Sequence, residues 1–186
     1  MKVSKEPEPL LYPCPVTLVT CTDPDGKPNI VTIAWIGMAS SHPPMLTLGI
    51  DRERYSNKLI LTTKEFVVNV PTVKLLRQTD FCGKFSGREV DKFAETGLTP
   101  EPAERVKPPL IKECPINLEC VLREKIPVGS HDLMIGEIIL VHIDGELLDE
   151  KGNIDFKKAA PFTYFHHNLE YWKVDTKIGD RGFAER

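Results

Sequence analysis

Four short stretches of this 186-residue sequence gather side chains able to do chemistry. The first is Ala39-Ser40-Ser41-His42-Pro43-Pro44. Ser40 and Ser41 bring hydroxyls and unhindered backbone N–H groups, while Pro43 and Pro44 stiffen the bend and remove competing donors. Such a bend can offer fixed donors and acceptors to a planar heterocycle with an imide edge. The plainer account is a long strand connection chosen only for its turn, and composition alone favours that account. The second stretch runs from Arg52 through Arg54 and Tyr55 to Ser56. It puts two cations and a hydroxyl at the expected start of a helix, where free N–H groups and the dipole attract anions. The third, "KFSGREVDKF", supplies Lys84, Ser86, Arg88 and Lys92 around another expected helix start. A phosphate monoester suits either cluster, because it wants fixed cations and hydroxyl donors together. A solvated charged face is the commoner fate of Lys and Arg. The fourth, "GSHDLMIGEI", sets His131 after a Gly-Ser turn and ahead of a strand. An imidazole titrates near neutrality, which makes His131 a candidate for binding or proton shuttling; a structural turn histidine fits the spacing equally well.

Other residues read as structural. His166 and His167 are adjacent, so on a strand they face opposite sides and cannot chelate one metal. The five cysteines are odd in number and form no CxxC pair, which favours free thiols. Cys114 and Cys120 lack zinc-ligand spacing, and no metal site is expected. Cys82 precedes an expected helix-ending glycine; it reads as a small buried residue, though it is placed to approach a phosphate. Tyr171 and Trp172 read as core or subunit contacts, though one could cover the face of a heterocycle. A formal charge of −3 and 8% aromatic residues argue against nucleic-acid binding. No apolar run approaches the ~20 residues of a membrane helix. The N-terminal stretch has no secretory apolar region, so a cytoplasmic protein is expected.

These side chains need elements to hold them. Residues 16–21 and 29–35 have strand composition and flank Asp23-Pro24-Asp25-Gly26, so they form a hairpin. A third strand follows over 45–50. Ser56 is the expected N-cap of a helix carrying Leu59, Ile60 and Thr63 on one face. Residues 65–70 return to strand. Pro71-Thr72 opens a helix that Gly83 ends, and a shorter helical piece lies between Ser86 and Gly97. Residues 99–109 hold four prolines and read as a surface loop. From 116 onward Ile116, Leu118, Cys120 and Leu122 alternate with Asn117, Glu119, Val121 and Arg123, as in a half-buried antiparallel strand. The stretch 127–132 interrupts it. Residues 133–144 form a long strand in which Gly136 marks a bulge or close approach. Residues 164–175 form a last strand, and 176–186 a tail. This is a mainly β chain with short peripheral helices: a Greek-key antiparallel barrel in a single domain over 1–186, its core about 13–175. With no GxGxxG after a strand, a doubly wound parallel sheet is disfavoured.

The order "PNIVTIAWIGMASSHPPMLTLGI", "RYSNKLI", "EFVVNVP", "SGREVDKF", "GSHDLMIGEI", "YWKVDTKIGDRG" resembles the flavin reductase-like family of FMN-binding split barrels, flavoredoxins included. The resemblance implies a homodimer with FMN near the subunit interface. It implies that Asn29, Thr32 and Trp35 lie on a strand beside the flavin. It implies that Ala39, Ser40, Ser41 and Pro44 form the loop that meets the flavin ring. Arg54, Tyr55 and Ser56 fall in a phosphate-side segment, and Ser86 and Lys92 match a second one, with Lys92 as the phosphate cation. His131 falls near the nicotinamide site as the catalytic residue, in Gly-Ser-His where the family has Gly-Asp-His. The implied activity is an NAD(P)H-dependent flavin or ferric reductase using NADH or NADPH, with a redox partner protein or monooxygenase possible downstream. The alternative is a flavoredoxin-like FMN electron carrier without direct nicotinamide activity.

Overall fold

The computed structural model describes residues 1–184; the last two residues of the expected tail lie outside the described residues. Strands β2 (Thr17–Thr22) and β3 (Pro28–Ile33) follow the two-residue β1 (Cys14–Pro15) and pair from Thr17↔Ile33 to Thr22↔Pro28. Their turn closes through Gly26 at φ 89°, whose amide donates to the Asp23 carbonyl at 3.0 Å, a conformation glycine adopts without strain.

The next segment departs from expectation. Strand β4 (Ile36–Ser41) pairs with β5 (Pro44–Asp51), and Ser41 stands opposite Pro44. The Ser-Ser/Pro-Pro stretch is therefore two strand ends around a tight two-residue turn at His42-Pro43. It is not an insert between strands. Helix α1 (Tyr55–Thr63) has Arg54 in the capping position with no side-chain bond, so Ser56 lies inside the first turn rather than capping it. Strand β6 (Glu65–Val70) follows. Thr72 then accepts from the Lys74 amide and caps a 3-10 turn that leads into α2 (Leu76–Lys84). Gly83 belongs to the last turn of α2, which ends at the extended Phe85. Helix α3 (Lys92–Thr96) is capped by Asp91, which accepts from the amides of Phe93 and Ala94, and it stops at Gly97 with φ 69°.

The proline-rich loop is better anchored than its composition suggests. It closes with the short pair β7 (Pro100–Glu101) and β8 (Leu110–Ile111), and Val106 within it is buried. Strand β9 (Ile116–Val128) and strand β10 (His131–Ile143) form one long hairpin turning at Gly129-Ser130. The alternation over 116–123 predicts a solvent-facing Glu119, yet Glu119 is fully buried because the proline-rich loop covers that face. After the single-turn helix α4 (Phe156–Ala159), the expected last strand is a hairpin, β11 (Phe162–Phe165) and β12 (Glu170–Lys173), with His166 and His167 in its turn.

The main sheet has seven strands in the order β3-β2-β6-β9-β10-β5-β4. Chain continuity brings its two edges together: β3 runs through Ala34 and Trp35 into β4, and the Gly49 amide of β5 donates to the Trp35 carbonyl at 2.7 Å. The sheet thus closes into a barrel that is split where β3 meets β5. Leu48, Ile60, Phe66 and Met134 fill the interior, each without solvent exposure. At Gly136 an added Cβ would lie 2.3 Å from the Phe66 ring, so the Phe66 ring occupies the space a side chain at 136 would need. The second sheet, β1-β11-β12, packs outside the barrel near the split.

Candidate functional site

The split and the helix ends around it leave two clefts that share Val31, Asp51 and Arg54. The smaller has a volume of about 370 Å³ and is walled by the first turn of α1, the 86–88 turn and the start of α3. Local structure brings its cations together. Arg54 donates to the Gly83 carbonyl at 3.0 Å, and Arg88 donates to the Glu53 carbonyl at 3.2 Å while lying 5.3 Å above the Tyr55 ring. Asp51, Glu53 and Glu89 on the rim offset part of this charge.

Lys92 differs from the rim cations because it is buried. Its Nζ donates to the carbonyls of Ile30 and Cys82, both at 2.7 Å, which leaves one N–H of three. Burial lowers its pKa to about 8. Among the described residues no carboxylate lies within ion-pair distance of it. An ammonium held in a cleft without a counter-charge fits an anion that brings its own.

Ser56 and Ser86 also line this cleft. Ser56 Oγ accepts from Asn29 Nδ2 at 2.7 Å. Asn29 itself lies behind the wall and lines neither cleft. It acts through Ser56 and through Gly87, where an added Cβ would meet Asn29 Oδ1 at 2.0 Å.

The larger cleft, about 660 Å³, continues from Arg54 along the split. Thr32 and Trp35 of the β3–β4 crossing, Gly49 and Asp51 of β5, the C-terminal end of α2 and the outer hairpin form its walls. Thr32 Oγ1 donates to the Thr79 carbonyl and ties β3 to α2. The indole of Trp35 stacks on the His131 ring with centroids 4.6 Å apart and 34° between planes, and His166 meets it edge-on at 5.5 Å. Opposite, Tyr171 donates its hydroxyl to Asp80 Oδ1 at 3.1 Å. Burial pushes the Tyr171 phenol above its usual value, and the Asp80 charge adds to the effect.

His131 is held firmly. Its Nδ1 lies 2.8 Å from Ser130 Oγ, and its carbonyl accepts from Arg52 Nη2 at 3.2 Å. The buried Asp132 beside it accepts from Arg52 Nε and Asn57 Nδ2, each at 3.1 Å, with Lys125 at 3.5 Å. Burial would raise the Asp132 pKa, but Asn57, Arg52 and Lys125 outweigh it and hold the carboxyl below its ordinary value.

Most of the expected site residues therefore converge. Thr32, Trp35 and His131 meet in the larger cleft; Arg54, Tyr55, Ser56, Ser86 and Lys92 meet in the smaller. Ala39, Ser40, Ser41 and Pro44 do not join them. They stand at the β4–β5 tip and line neither cleft, because six residues of strand at about 3.3 Å each carry Ser41 roughly 20 Å beyond Trp35. The rigid backbone that faces the larger cleft is Ala34-Trp35 at the split instead. The larger cleft also takes in Asp80, Tyr164 and His166, none of them among the expected site residues. Asp80 carries no motif signal; the Tyr164↔Tyr171 pairing appears only once 164–175 is recognised as a hairpin.

The arrangement thus joins a compartment of fixed cations and hydroxyls to an aromatic compartment along one split barrel. Known proteins share the frame. Flavoredoxin of Desulfovibrio vulgaris (Miyazaki F) superposes with a TM-score of 0.93 at 34% identity, covering 99% of both chains. Flavoredoxin from Methanosarcina acetivorans superposes with a TM-score of 0.90 at 30% identity, over 99% of this chain and 97% of that one. A flavin reductase of Pseudomonas putida is 28% identical over 135 residues, 73% of this chain and 76% of that protein. With the family described as "Flavin reductase like domain" matching residues 10–173, the chain belongs to the flavin reductase-like family.

Proposed function

We propose that this chain is an FMN-binding oxidoreductase in which NADH or NADPH reduces the bound flavin, a flavin (or ferric) reductase. One observation carries the reading: the two clefts adjoin at Val31, Asp51 and Arg54, and side by side they match a molecule with a phosphate at one end and a planar ring at the other. FMN, when bound, supplies reversible two-electron chemistry. Lys92, Arg54, Ser56 and Ser86 would hold its phosphate, and Thr32 and Trp35 would lie along its ring. His131, stacked on Trp35 and fixed by Ser130 and Arg52, is the group placed to orient a nicotinamide or to hold a proton there.

A second reading is a flavoredoxin-like carrier that receives electrons from a protein only. Flavoredoxin similarity over nearly the whole chain favours it. Anaerobic mixing of the FMN-loaded chain with NADH or NADPH separates the two. Bleaching of the flavin band within seconds, slowed about tenfold or more in His131→Ala with FMN retained, supports the reductase. No bleaching with either coenzyme, but bleaching with a reduced donor protein, establishes the carrier.

The same reading extends to a homodimer, to a redox partner protein or monooxygenase that consumes reduced flavin, and to a cytoplasmic location. Among the described residues no helix is long and apolar enough to cross a membrane.

Gly87 offers a test of the phosphate end. Gly87→Ala sets a methyl against the buried Asn29 carboxamide and displaces the turn that carries Ser86 and Arg88. FMN affinity should fall about tenfold or more, while riboflavin, which has no phosphate, should bind as before. Equal losses for both ligands would place the phosphate elsewhere.

A further inference from the structure

A third concavity, about 640 Å³, adjoins the larger cleft at Trp35, Gly49 and His131. It runs between the N-terminal segment and the β9–β10 turn, with Leu11, Pro15, Val128 and Leu133 on its walls. Among the described residues that line it, none is Lys, Arg, Asp or Glu. That sets it apart from the two clefts described above, which carry Arg54 with Lys84 or Lys92.

We propose that this groove binds a planar, uncharged redox ring of the quinone class, seated against the Trp35–His131 stack. Three observations lead to that chemistry. A phosphate or carboxylate entering the groove would lose water and find no cation, so the occupant is neutral. The wall shared with the larger cleft carries the stacked Trp35 and His131 rings beside Ala34 and Gly49, and such rings favour a flat partner. Within the groove the Ser130 hydroxyl and the His131 imidazole are hydrogen-bond partners, one pair able to meet a carbonyl oxygen. The groove opens beside the compartment assigned to the flavin ring, so the occupant is a second reactant rather than a remote ligand. The proposal rests on the FMN reading only for what the quinone would exchange electrons with; binding is tested without flavin.

The probe is duroquinone, whose fully substituted ring cannot add to the half-buried Cys14. In the full chain carrying Trp172→Phe, Trp35 is the remaining indole of the two. Titration should quench its fluorescence saturably, with a Kd on the order of 100 µM. Val128→Glu and Gly37→Glu should each weaken binding at least tenfold. Val128 is 44% exposed, and an added Cβ at Gly37 meets nothing within 4 Å, so both variants should fold. The proposal is overturned by non-saturable quenching equal to that of N-acetyltryptophanamide, by unchanged affinity in both variants, or by quenching that emerges only as a self-associated chain is diluted apart. FMN retention on gel filtration is scored separately. A chain that keeps FMN but ignores duroquinone refutes this proposal alone; one that binds duroquinone but not FMN refutes the cofactor reading.

Discussion

Lys92→Met is expected to raise the Kd for FMN by one to two orders of magnitude and to leave riboflavin binding within about twofold. A hydrogen bond from a charged donor contributes about 1.5–3 kcal/mol, which is roughly 10–150-fold in affinity. Lys92 should sit in the upper part of that range, because its ammonium is buried and already aimed by the Ile30 and Cys82 carbonyls. Methionine keeps most of the stem's volume, so the barrel should stay folded, as a thermal melt will show.

The pH dependence has a definite sign. Burial holds the Lys92 pKa down to about 8 in the free protein. A bound phosphate dianion favours the ammonium and raises that value, so binding takes up a proton above pH 8. FMN affinity should therefore be flat below about 8 and should fall by up to tenfold per pH unit above it. Below about pH 6 it should fall again as the phosphate gains its second proton. In Lys92→Met the decline above 8 should vanish. A wild-type affinity that stays level to pH 10, or a methionine variant that still discriminates FMN from riboflavin, would remove Lys92 from the phosphate site.

Glu119→Gln is expected to lower stability by about 2–4 kcal/mol, read as a shift in the denaturant midpoint at pH 7. Glu119 has no solvent exposure. Its carboxylate accepts from the amides of Glu104, Arg105 and Val106 at 2.7–3.1 Å, and His142 Nε2 lies 2.6 Å from Oε1. A glutamine would turn an NH2 group toward those donors and leave buried amides unpaired. Burial alone would raise the Glu119 pKa, but the Glu104 amide, His142 and the Arg105 amide together hold it below its ordinary value. The native pKa is thus lower than the unfolded one. The stabilisation is complete above the ordinary carboxylate range and is lost as pH falls from there through the lowered native value. The wild type should consequently lose its margin over Glu119→Gln on acidification. A margin that stays constant from pH 7 to pH 3 would show that the carboxylate's charge does not hold the proline-rich loop.

Short-range chemistry was legible in the residues themselves. The Asp23–Gly26 turn, the Gly97 stop and the close approach at Gly136 each depend on one residue type at one backbone position. The strand composition of 16–21, 65–70 and 133–144 likewise announced a mainly antiparallel barrel. The resemblance of six ordered motifs placed Lys92, Arg54, Ser56, Thr32, Trp35 and His131 near one ligand, and all of them line the two joined clefts.

Tertiary structure decided what alternation and spacing leave open. Whether Ser40-Ser41 and Pro43-Pro44 form a ligand loop or a hairpin tip depends on where β5 pairs, and pairing with β4 carried them away from the split. Glu119 sits at a solvent-phase position of its strand, yet a loop from 103–106 covers it. Asp80 and Tyr171 meet across 91 residues of chain. Local propensity acts over a few neighbours along the backbone, whereas a cleft is composed of side chains that only the closed sheet brings within contact.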